Sequence, residues 1–357
     1  RLTHNANGVK TVKEIAMPTH AEAIAAVMDA LVDAEIGVIK SVAEIDAVGH
    51  RVVHGADKFA ASAVVTDEMI KCVEACIPLG PLHNPANLLG IDACKKLMPN
   101  TPQVGVFDTA FHMTMPAKAY RYAIPTEYYK EHAVRRYGFH GTSHRFVCAK
   151  TMEMLGNKDA RVITCHLGNG SSITASVGGK AVDTSMGFTP QEGVPMGTRS
   201  GSVDPTVVTY IMKKEGLSAD EAEKLLNSKS GLLGVSGVSS DCRDVLIAQG
   251  EGNKRAGLAM DILVHYIKKI IGSYIAEMNG VDALVFTAGI GENDGIVRDL
   301  ICRDMSYLGI EIDNDINLKL PRGTQADITK AGAKVRTLVI PTDEEYMIAL
   351  DTFNLVK

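Results

Sequence analysis

The chain contains no GxxxxGK[ST] loop in its 357 residues, which argues against the phosphate-binding chemistry of P-loop proteins. It has no uninterrupted apolar run near the ~20 residues that a membrane-spanning helix needs, and no signal peptide is visible. Its net charge of -5 argues against a general nucleic-acid binder, whose surface would be basic. We therefore expect neither a nucleic acid nor a membrane as a partner of this protein.

Cysteine is present, but not in a pattern that indicates a disulfide framework or a zinc finger. The seven cysteines are an odd number, and none has CxxC or finger spacing. Scattered reduced thiols in a cytoplasmic protein are the better interpretation. Cys72 and Cys76 lie one helical turn apart, where two buried small apolar side chains are favoured over a redox pair.

The bulk composition is that of an ordinary soluble α/β protein. Hydrophobic residues make up 46% and charged residues 22% of the chain, and no segment is proline-rich or of low complexity. A chain of 357 residues holds about two domains of the usual size.

Three glycine-rich segments are the most informative feature of the chain. The segments 166–172 and 289–293 each follow a strand-like run, and 231–240 is a looser Gly/Ser stretch that leads into Asp241. Glycine allows the backbone to approach a phosphate closely, and successive free N–H groups form a nest that binds anions. Several such segments indicate a polyphosphate held from more than one side, and hence a nucleotide enzyme.

The segment 289–293 allows two other interpretations. With Gly289, Gly291 and Gly295 it resembles a dinucleotide fingerprint, but the third glycine comes one residue late, which argues against a dehydrogenase. A tight strand-to-helix turn that binds no ligand is the other alternative.

Periodicity and capping signals predict a mixed α/β fold of two halves, with a helical opening. Helices are predicted after Thr19, with a capping box to Glu22; after Thr66; from Asn84 as N-cap; over 257–278; and after Thr342, with a capping box to Glu345. Strands are predicted at 45–53, 104–107, 281–287 and 335–340, with a meander over 161–184. Asp108 follows the strand 104–107 directly, at the sheet edge where ligands bind in open α/β sheets.

Four histidines fall within a short stretch of the chain, His112, His132, His140 and His144. His140 and His144 have the spacing of helical metal ligands, but residues 141–143 between them indicate a turn into an N-cap. Structural histidines are favoured over a zinc site, which needs a third ligand and a supporting carboxylate. A turn histidine that faces developing negative charge is a third interpretation.

Two arginines lie in unusual surroundings. Arg51 is inside an apolar strand, and Arg199 sits in a glycine-flanked loop. Isolated arginines are mostly solvated surface groups, but a planar guanidinium can bind a carboxylate or a phosphate through two hydrogen bonds. Two such groups facing a cleft would suit an acidic substrate, with Asp108 orienting an arginine or a magnesium ion.

Seven short strings stand in order along essentially the whole chain. They are GHRVVHG (49–55), PLHNPAN (81–87), VFDTAFH (106–112), GFHGTSH (138–144), CHLGNGSS (165–172), MGTRSG (196–201) and TAGIGEN (287–293). Together they closely resemble the acetate kinase (acetokinase) family. This resemblance, through the superfamily of acetate and sugar kinases, Hsp70 and actin, implies two related actin/ribonuclease-H-like α/β domains around a nucleotide cleft. It implies an N-terminal domain of 1–109 completed by 345–357, and a nucleotide-binding and dimerisation domain of 110–344.

The resemblance also implies an activity, the reversible transfer of the γ-phosphoryl group of ATP to acetate, which gives acetyl phosphate and ADP. Mg²⁺, or Mn²⁺ in its place, would be the cofactor, and the protein would be a cytoplasmic homodimer. A carboxylate that attacks a phosphoryl group is already an anion. The reaction therefore needs positioning and electrostatic stabilisation more than a strong base.

The matching motifs imply a role for each candidate site residue. Asp108, His140 and Arg199 resemble the catalytic residues, and the last two would stabilise the phosphoryl group in transit. Arg51 would hold the acetate carboxylate or acetyl phosphate, and Glu344 matches a magnesium-associated glutamate. The further substrate contacts, which include an apolar pocket for the methyl group, are Val53, Leu82, His83, Phe139 and Pro190. The nucleotide-binding residues are His166, Leu167, Gly168, Asn169, Gly170, Asp241, Cys242, Arg243, Gly289, Ile290, Gly291, Glu292 and Asn293.

Two departures from the family pattern stand out. Ala56 occupies a position where the family usually has a second glycine after Gly55. The family also opens with a strand and a turn of the Asn-Cys-Gly-Ser-Ser-Ser type that contacts magnesium and phosphate, and nothing like it precedes Arg1. We expect the chain to lack this segment. If it is truncated, weak or absent kinase activity and an exposed edge of the first sheet should follow.

Other functions remain as alternatives. A propionate or butyrate kinase differs by little more than a methylene in the apolar pocket, which is worth only ~1–3 kcal/mol. A nucleotide-binding structural or regulatory protein in the manner of actin or Hsp70 would lack the arginine pair, so Arg51 and Arg199 argue against it. A truncated chain would be a catalytically impaired nucleotide-binding relative.

Overall fold

The structure, a computed structural model, describes residues 1–80 and 83–357. The chain forms two compact units, Arg1–Ala110 with Glu344–Lys357, and Phe111–Asp343. The division implied by the resemblance assigned Ala110 and Glu344 to the second unit. Glu344 lies in the first because it begins the last helix, which packs on a strand of that unit. In the described part of the chain, no helix combines the length and the apolar character needed to cross a membrane.

The first unit contains a hairpin, a three-stranded sheet and surrounding helices. The hairpin is β1 (Leu2–Ala6) paired with β2 (Val9–Lys13). In the sheet, β3 (Val48–Val52) runs parallel to β5 (Gln103–Phe107), and β4 (Ala63–Val64) runs antiparallel to β5. The helices are α1 (His20–Val32), α2 (Asp67–Ala75), α3 (Asn84–Leu97) and α15 (Glu344–Val356).

Helices pack on both faces of the three-stranded sheet. Val52 and Phe107 of the sheet belong to an apolar cluster with residues of α2 and α3. On the other face α15 approaches so closely that a Cβ at Gly49 would lie 2.5 Å from Ile348. Because side chains alternate along a strand, Arg51 points to the face of Gly49, the one that α15 covers.

The second unit contains a six-stranded sheet in the order β10–β11–β9–β6–β7–β8. The central strands β11, β9 and β6 are parallel, and the outer pairs are antiparallel. The strands are β6 (Arg161–Leu167), β7 (Ser171–Val177), β8 (Lys180–Thr184), β9 (Ala283–Thr287), β10 (Ala326–Asp327) and β11 (Arg336–Val339).

The helices of this unit lie between and around the strands. They are α4 (Ala117–Tyr120), α5 (Thr126–His132), α6 (Gly141–Leu155), α7 (Pro205–Glu215), α8 (Ala219–Ser228), α9 (Gly231–Ser236), α10 (Cys242–Gly250), α11 (Lys254–Glu277), α12 (Ala288–Asn293), α13 (Gly295–Cys302) and α14 (Asn314–Asn317). Short 3₁₀ turns at Val42–Glu44, Ile77–Leu79, Ala110–Thr114 and Ser306–Leu308 complete the described elements.

The six-stranded sheet lies between two helical layers. Val162 of β6 belongs to an apolar cluster with Val147 of α6, whereas its neighbour Ile163 belongs to a second cluster with Ile267 of α11. Because successive side chains of a strand point to opposite faces of the sheet, β6 contributes side chains to both apolar clusters. α6 and α11 are held on opposite faces, and the first turn of α6 lies beside β6 and β7.

Several local predictions are confirmed. Thr19 and Glu22 form the capping box of α1, and Thr66 caps α2. The strand predicted at 104–107 is present as β5, and β6–β7–β8 form the predicted meander. The long helix predicted from residue 257 begins at Lys254.

Segments singled out for their glycines are more helical than the sequence predicts. The segment 289–293 lies in the short helix α12, which follows β9 directly, and the Glu292 carboxylate accepts the backbone N–H of Ala288 at its start. The segment 231–240 begins as helix α9, whose Leu232 is buried. Residues 141–143, predicted to form a turn, are the first turn of α6.

Three terminal or capping predictions also differ from the structure. The opening of the chain is the β1–β2 hairpin, not a helix. The N-cap of α3 is His83, because Asn84 uses its side chain for contacts elsewhere. The Thr342 hydroxyl is buried without a hydrogen-bond partner among the described residues, while its backbone N–H donates to Glu292, so it forms no capping box.

Ala56, the departure from the family pattern, adopts a left-handed backbone with a φ of 48°. Its N–H donates to His54 Nδ1 at 3.0 Å. The left-handed region costs an L-residue with a Cβ roughly 1–2 kcal/mol relative to glycine. The alanine is therefore tolerated at a local cost that a glycine would avoid.

We predict that Asn84→Ala lowers the unfolding free energy of the first unit by about 1–3 kcal/mol, because it leaves buried polar groups without hydrogen-bond partners. The Asn84 side chain is fully buried, accepts the His54 N–H at 3.1 Å and donates to the carbonyls of His54 at 3.0 Å and Val73 at 3.3 Å. Urea unfolding with hydrogen exchange of the β3 and β5 amides measures the loss. The control is Asn227→Ala, whose exposed amide donates to a carbonyl of its own helix. Equal stability of both variants would contradict the prediction.

Candidate functional site

Arg51 and Asp108 form an ion pair at the carboxyl ends of β3 and β5 in the first unit. Arg51 Nε donates to Asp108 Oδ1 at 2.9 Å, and Nη2 donates to Oδ2 at 2.6 Å. The Asp108 side chain is 1% exposed, whereas that of Arg51 is 44% exposed. The negative charge of Asp108 raises the pKa of Arg51. Of the five guanidinium N–H groups, two are donated to Asp108 and three remain for other acceptors.

Glu344, the first residue of α15, brings a second carboxylate to this pair. Its Oε2 lies 3.9 Å from Arg51 Nε, and its side chain is mostly buried. Burial raises the pKa of Glu344, the charge of Asp108 raises it further, and Arg51 opposes both effects. Asp108 and Glu344 thus share the guanidinium of Arg51, so the three side chains together carry one more negative charge than positive charge.

This donor set fits a hard divalent cation. Mg²⁺ binds one or two carboxylates, keeps several waters and takes its other ligands from substrate phosphates. Such an ion would relieve the repulsion between Glu344 and Asp108. Within residues 1–80 and 83–357, no three His, Cys, Asp or Glu side chains cluster closely enough to hold a metal. Ligands from a substrate would therefore be needed as well.

Three histidines of the second unit meet where α6 begins beside β6 and β7. His140 occupies the N-cap of α6 with a φ of 56°, and its ring stacks on that of His166 with 4.1 Å between centroids. His140 Nδ1 and His144 Nε2 lie 2.8 and 2.7 Å from the same atom, Ser172 Oγ. Both rings therefore contact a hydroxyl through the nitrogen nearest β7, which favours the structural interpretation of the pair over a zinc site.

His140 and Arg199 converge on the space above Gly170. A Cβ placed on Gly170 would lie 3.5 Å from His140 Nε2 and 3.7 Å from Arg199 Nη1. Glycine at this position therefore leaves open a space that two potential hydrogen-bond donors border. Gly170 lies in the turn between β6 and β7, directly after Gly168 and Asn169.

Arg199 is half-buried and, in the described part of the chain, has no carboxylate partner. Its Nη1 donates to the carbonyl of Pro190 at 3.0 Å and lies 3.8 Å from Met196 Sδ. Burial lowers the pKa of Arg199, since the charged form is poorly compensated. A guanidinium held in this way is stabilised when an anionic ligand binds.

The glycine-rich segments of the second unit border one cavity of about 510 Å³. That volume is typical of a small-molecule site. The predicted nucleotide-binding residues that line it are Gly168, Asn169, Asp241, Cys242, Arg243, Gly289, Ile290 and Asn293, and the lining also includes Ser240, Asp294 and Arg322. The structure thus brings together residues that are up to 125 positions apart in the sequence, from 168 to 293.

Asp241 and Arg243 form an ion pair at the edge of this cavity. Asp241 accepts the backbone N–H and the side-chain Nε of Arg243, at 2.9 and 3.0 Å, and caps α10. These hydrogen bonds lower the pKa of Asp241 to about 2. The pair therefore stays charged, with the guanidinium fixed beside the cavity.

Five of the predicted nucleotide-binding residues lie away from the cavity lining. They are His166, Leu167, Gly170, Gly291 and Glu292. Leu167 is 1% exposed in the core, and His166 belongs to the histidine group. The Glu292 carboxylate accepts the backbone N–H groups of Ala288 and Thr342 at 2.7 and 3.0 Å, which gives it a structural part.

Sequence reasoning missed residues that hold or line this cavity. Arg298 of α13 is 1% exposed and donates to the carbonyls of Gly291 and Glu292 at 2.8 and 2.9 Å, which fixes α12. Asp294 carries a recognisable signal, since it caps α13 by accepting the N–H of Val297. Arg322 belongs to no motif, and only the fold places it at the cavity.

The residues predicted for substrate contacts divide between the two units. Val53 is 7% exposed in the first unit, which also contains the half-buried His83. Phe139, 2% exposed, and the half-buried Pro190 belong to the second unit. Leu82 lies outside the described residues.

Comparison with known proteins is consistent with this architecture. The model of the acetokinase family matches residues 1–350. The acetate kinase of Treponema denticola is 56% identical over 360 residues, which cover 100% of this chain and 90% of that relative. The acetate kinase of Caldanaerobacter subterraneus subsp. tengcongensis is 55% identical over 360 residues, which cover 100% and 89%.

Two solved structures resemble the fold closely. The crystal structure of Porphyromonas gingivalis acetate kinase superposes with a TM-score of 0.94 at 53% identity, covering 99% of this chain and 89% of that one. The crystal structure of a propionate kinase from Francisella tularensis gives a TM-score of 0.91 at 43% identity, covering 97% and 87%.

The fold is thus the mixed α/β fold of a kinase. The chain belongs to the acetokinase family. The predicted α/β class and family are confirmed, and the match extends from the first residue of the chain.

We predict that Glu344→Gln stabilises the first unit near neutral pH. The pKa of Glu344 is raised above its ordinary value of 4.5, so the folded state binds the proton more tightly than the unfolded state. Stability is lost as the pH rises from about 4.5 through the higher folded value. The variant should therefore exceed the wild type in unfolding free energy at about pH 8, and the difference should vanish below about pH 4. Glu345→Gln, at the exposed neighbouring position, is the control. A pH-independent difference in urea unfolding would refute this.

Proposed function

We propose that the protein is an acetate kinase, which transfers the γ-phosphoryl group of ATP to acetate and gives acetyl phosphate and ADP. One observation carries the proposal: Arg199, without a carboxylate partner among the described residues, converges with His140 on the space above Gly170. The same turn contributes Gly168 and Asn169 to the 510 Å³ cavity. A nucleotide in that cavity would direct its phosphates toward the turn.

The first unit supplies the group that binds the carboxylate. Arg51 is fixed by two hydrogen bonds to Asp108 and keeps three N–H donors for another anion. A guanidinium held by a buried carboxylate loses little freedom when it binds a second one, and a planar fork matches a carboxylate or a phosphate. Asp108 acts by orienting Arg51, and both its oxygens are engaged in doing so.

The residues present suit a reaction that needs charge stabilisation and not proton removal. Acetate at neutral pH is already a nucleophilic anion, and the obstacle is its repulsion by the phosphoryl group. Arg51 would offset the charge of acetate, while Arg199 and His140 would offset the charge on the phosphoryl oxygens in the transition state. Loss of one such preorganised donor typically lowers the rate by about 10²–10³.

A divalent cation would be held through Glu344, next to Asp108. Mg²⁺, with Mn²⁺ as the substitute, would neutralise phosphate charge when bound. The raised pKa of Glu344 supports this role, because a cation at that position would favour the ionised form. The homodimer and the cytoplasmic location remain predictions.

A propionate kinase is the second candidate, since a structure of that name shares the fold at 43% identity. The apolar residues proposed for the methyl group, Val53, Phe139 and Pro190, are suited to either substrate. One methylene changes binding by only ~1–3 kcal/mol, so the preference is a matter of degree.

The test is acyl phosphate formation from ATP and Mg²⁺, trapped with hydroxylamine, using acetate, propionate and butyrate separately. We expect the highest kcat/KM with acetate. A higher value with propionate would establish the second candidate. The absence of product with all three acids would refute the proposal.

For the carboxylate site we predict that Arg51→Ala lowers kcat/KM for acetate by about 10²–10³. Arg161→Ala is the matched control, because Arg161 also donates twice to one carboxylate, to Asp282 at 3.2 and 2.8 Å. It lies at the start of β6 and contacts no proposed site residue. If both variants lose activity equally, the proposal that Arg51 binds the carboxylate is wrong.

For the phosphoryl site we predict that Gly170→Ala lowers kcat at least tenfold while the protein remains folded. The new methyl group would enter the space bordered by His140 and Arg199, at ordinary van der Waals distances of 3.5 and 3.7 Å from them. We therefore expect it to exclude a ligand from this space without causing clashes that unfold the protein. Gly272→Ala, in α11 and outside the cavity lining, is the control, since a Cβ there would have no atom within 4 Å. Steady-state kinetics with circular dichroism of both variants measures the effect, and an unchanged kcat in Gly170→Ala would contradict it.

A further inference from the structure

One buried hydroxyl links the proposed phosphoryl-binding histidine to a second histidine that has no contact with substrate in the proposed function. Ser172 Oγ lies 2.8 Å from His140 Nδ1 and 2.7 Å from His144 Nε2. Ser172 and His144 are both fully buried at 0% exposure. Ser172 Oγ has no third hydrogen-bond partner among the described residues.

The hydroxyl has one proton and can donate to only one of the two rings. If it donates to His140 Nδ1, then His144 Nε2–H must donate to the oxygen. If it donates to His144 Nε2, then His140 Nδ1–H must donate to the oxygen. A third arrangement, with both rings donating, would leave the hydroxyl proton buried without an acceptor, which carries a desolvation cost.

The other nitrogen of His144 distinguishes the first two arrangements. His144 Nδ1 is buried and has no hydrogen-bond partner among the residues that the structure describes. Burial, with smaller effects from His112 and His166, lowers the pKa of His144 well below its ordinary value, so the ring carries one proton. Placing that proton on Nδ1 would create an orphaned buried N–H, which is rare in proteins, whereas an unpaired acceptor is tolerated more often. The proton of His144 therefore belongs on Nε2.

The geometry points to a hydrogen-bond relay in which His144 Nε2–H donates to Ser172 Oγ and the Ser172 hydroxyl donates to His140 Nδ1, which fixes neutral His140 as the Nε2–H tautomer. His144 and Ser172 are then positioning residues that act through His140. This inference rests on the proposed function only for its consequence in catalysis.

The consequence concerns the space above Gly170, which His140 Nε2 borders. With its proton on Nε2, the imidazole presents an N–H donor to phosphoryl oxygens without needing a net positive charge. The opposite tautomer would present a lone pair to an anion, which is repulsive. The fixed tautomer thus prepares the donor before substrate binds, which is the condition for effective electrostatic stabilisation.

A neighbouring pair provides a matched control. Thr174, two residues further along β7, lies with Oγ1 3.0 Å from Nε2 of the buried His112. Its hydroxyl also contacts Thr184 Oγ1 at 2.8 Å. Thr174→Val therefore removes a buried hydroxyl with a histidine partner on the same face of the same strand, without touching His140.

The direct test is the tautomer of His140 in the ligand-free protein, by ¹⁵N NMR of histidine-labelled full-length chain at about pH 8. His140→Asn identifies the His140 signals. We expect the Nε2–H tautomer in the wild type and in Thr174→Val, and a mixture with the Nδ1–H tautomer in Ser172→Ala. A wild-type His140 in the Nδ1–H form, or a tautomer unaffected by Ser172→Ala, would overturn the inference.

Kinetics provide the second readout. Ser172→Ala should lower kcat about tenfold, less than the about 10²–10³ expected for complete loss of a donor, because part of His140 still adopts the active tautomer. The KM values for acetate and ATP should change little, and Thr174→Val should keep kcat. A loss of thermal stability without the kcat effect in Ser172→Ala would show a merely structural hydroxyl.

Failure of the relay and failure of the proposed function are distinguishable. A wild type that is inactive with every acid yet shows the expected tautomer would refute the function alone. An active wild type with the Nδ1–H tautomer would refute the relay alone. His144→Gln, whose amide can still donate to Ser172, should retain more kcat than His144→Phe.

Discussion

A ladder of buried hydroxyl groups on β7 makes hydrogen bonds with histidine and cysteine side chains of the segments packed on this strand, and it constrains where those segments lie. Ser172, Thr174 and Ser176 alternate along one face of β7, and each is 1% exposed or less. Their partners include His144 for the first, His112 for the second and Cys148 for the third, at 2.7, 3.0 and 3.1 Å. Because buried polar groups without partners cost about 1–3 kcal/mol each, the ladder allows few other positions for α6. The N-cap of α6, and with it His140, is placed by this requirement.

The two arginines proposed to bind anions, one in each unit, are held by opposite means. Arg51 is bound to a buried carboxylate, so its charge is compensated and its direction is fixed. Arg199 is held through the carbonyl of Pro190, so its charge is uncompensated. The first arrangement suits a weakly charged acetate, since Asp108 already offsets part of the attraction. The second suits a phosphoryl group, whose greater negative charge would repay the desolvation of the guanidinium.

Local signals in the sequence predicted the elements that local interactions determine. The capping box of Thr19 and Glu22 and the β6–β7–β8 meander need only neighbouring residues, and both are present. The helical form of the segment 289–293 was not predictable from local signals. Its contacts include Arg298 and also Thr342, which donates to Glu292 from 50 residues away in the chain. No local pattern contains such contacts. The family and the α/β class were nevertheless predictable, since seven motifs in order do not require knowledge of side-chain packing.

The candidate site residues could likewise be predicted only where a local motif marks them. Arg51, Asp108, His140 and Arg199 could be selected because their residue types and motifs are distinctive. Arg322 could not, because an exposed arginine between a proline and a glycine resembles any surface residue until the fold places it at the cavity. Ser172 was within a recognised motif, but its function as a bridge required the position of His144 relative to the strand.

The proposed site residues carry charge imbalances of opposite sign. Glu344 with Asp108 lacks positive charge, as the raised pKa of Glu344 indicates. Arg199 lacks negative charge, as its lowered pKa indicates. Each imbalance lowers the stability of the ligand-free protein, and neither would persist where packing alone decided the sequence. In the first unit, a cation near Glu344 and Asp108 would offset the excess negative charge and so recover stability. In the second unit, an anion near Arg199 would offset the uncompensated positive charge in the same way. Ligand binding is therefore a physical reason for each unit to retain its own imbalance.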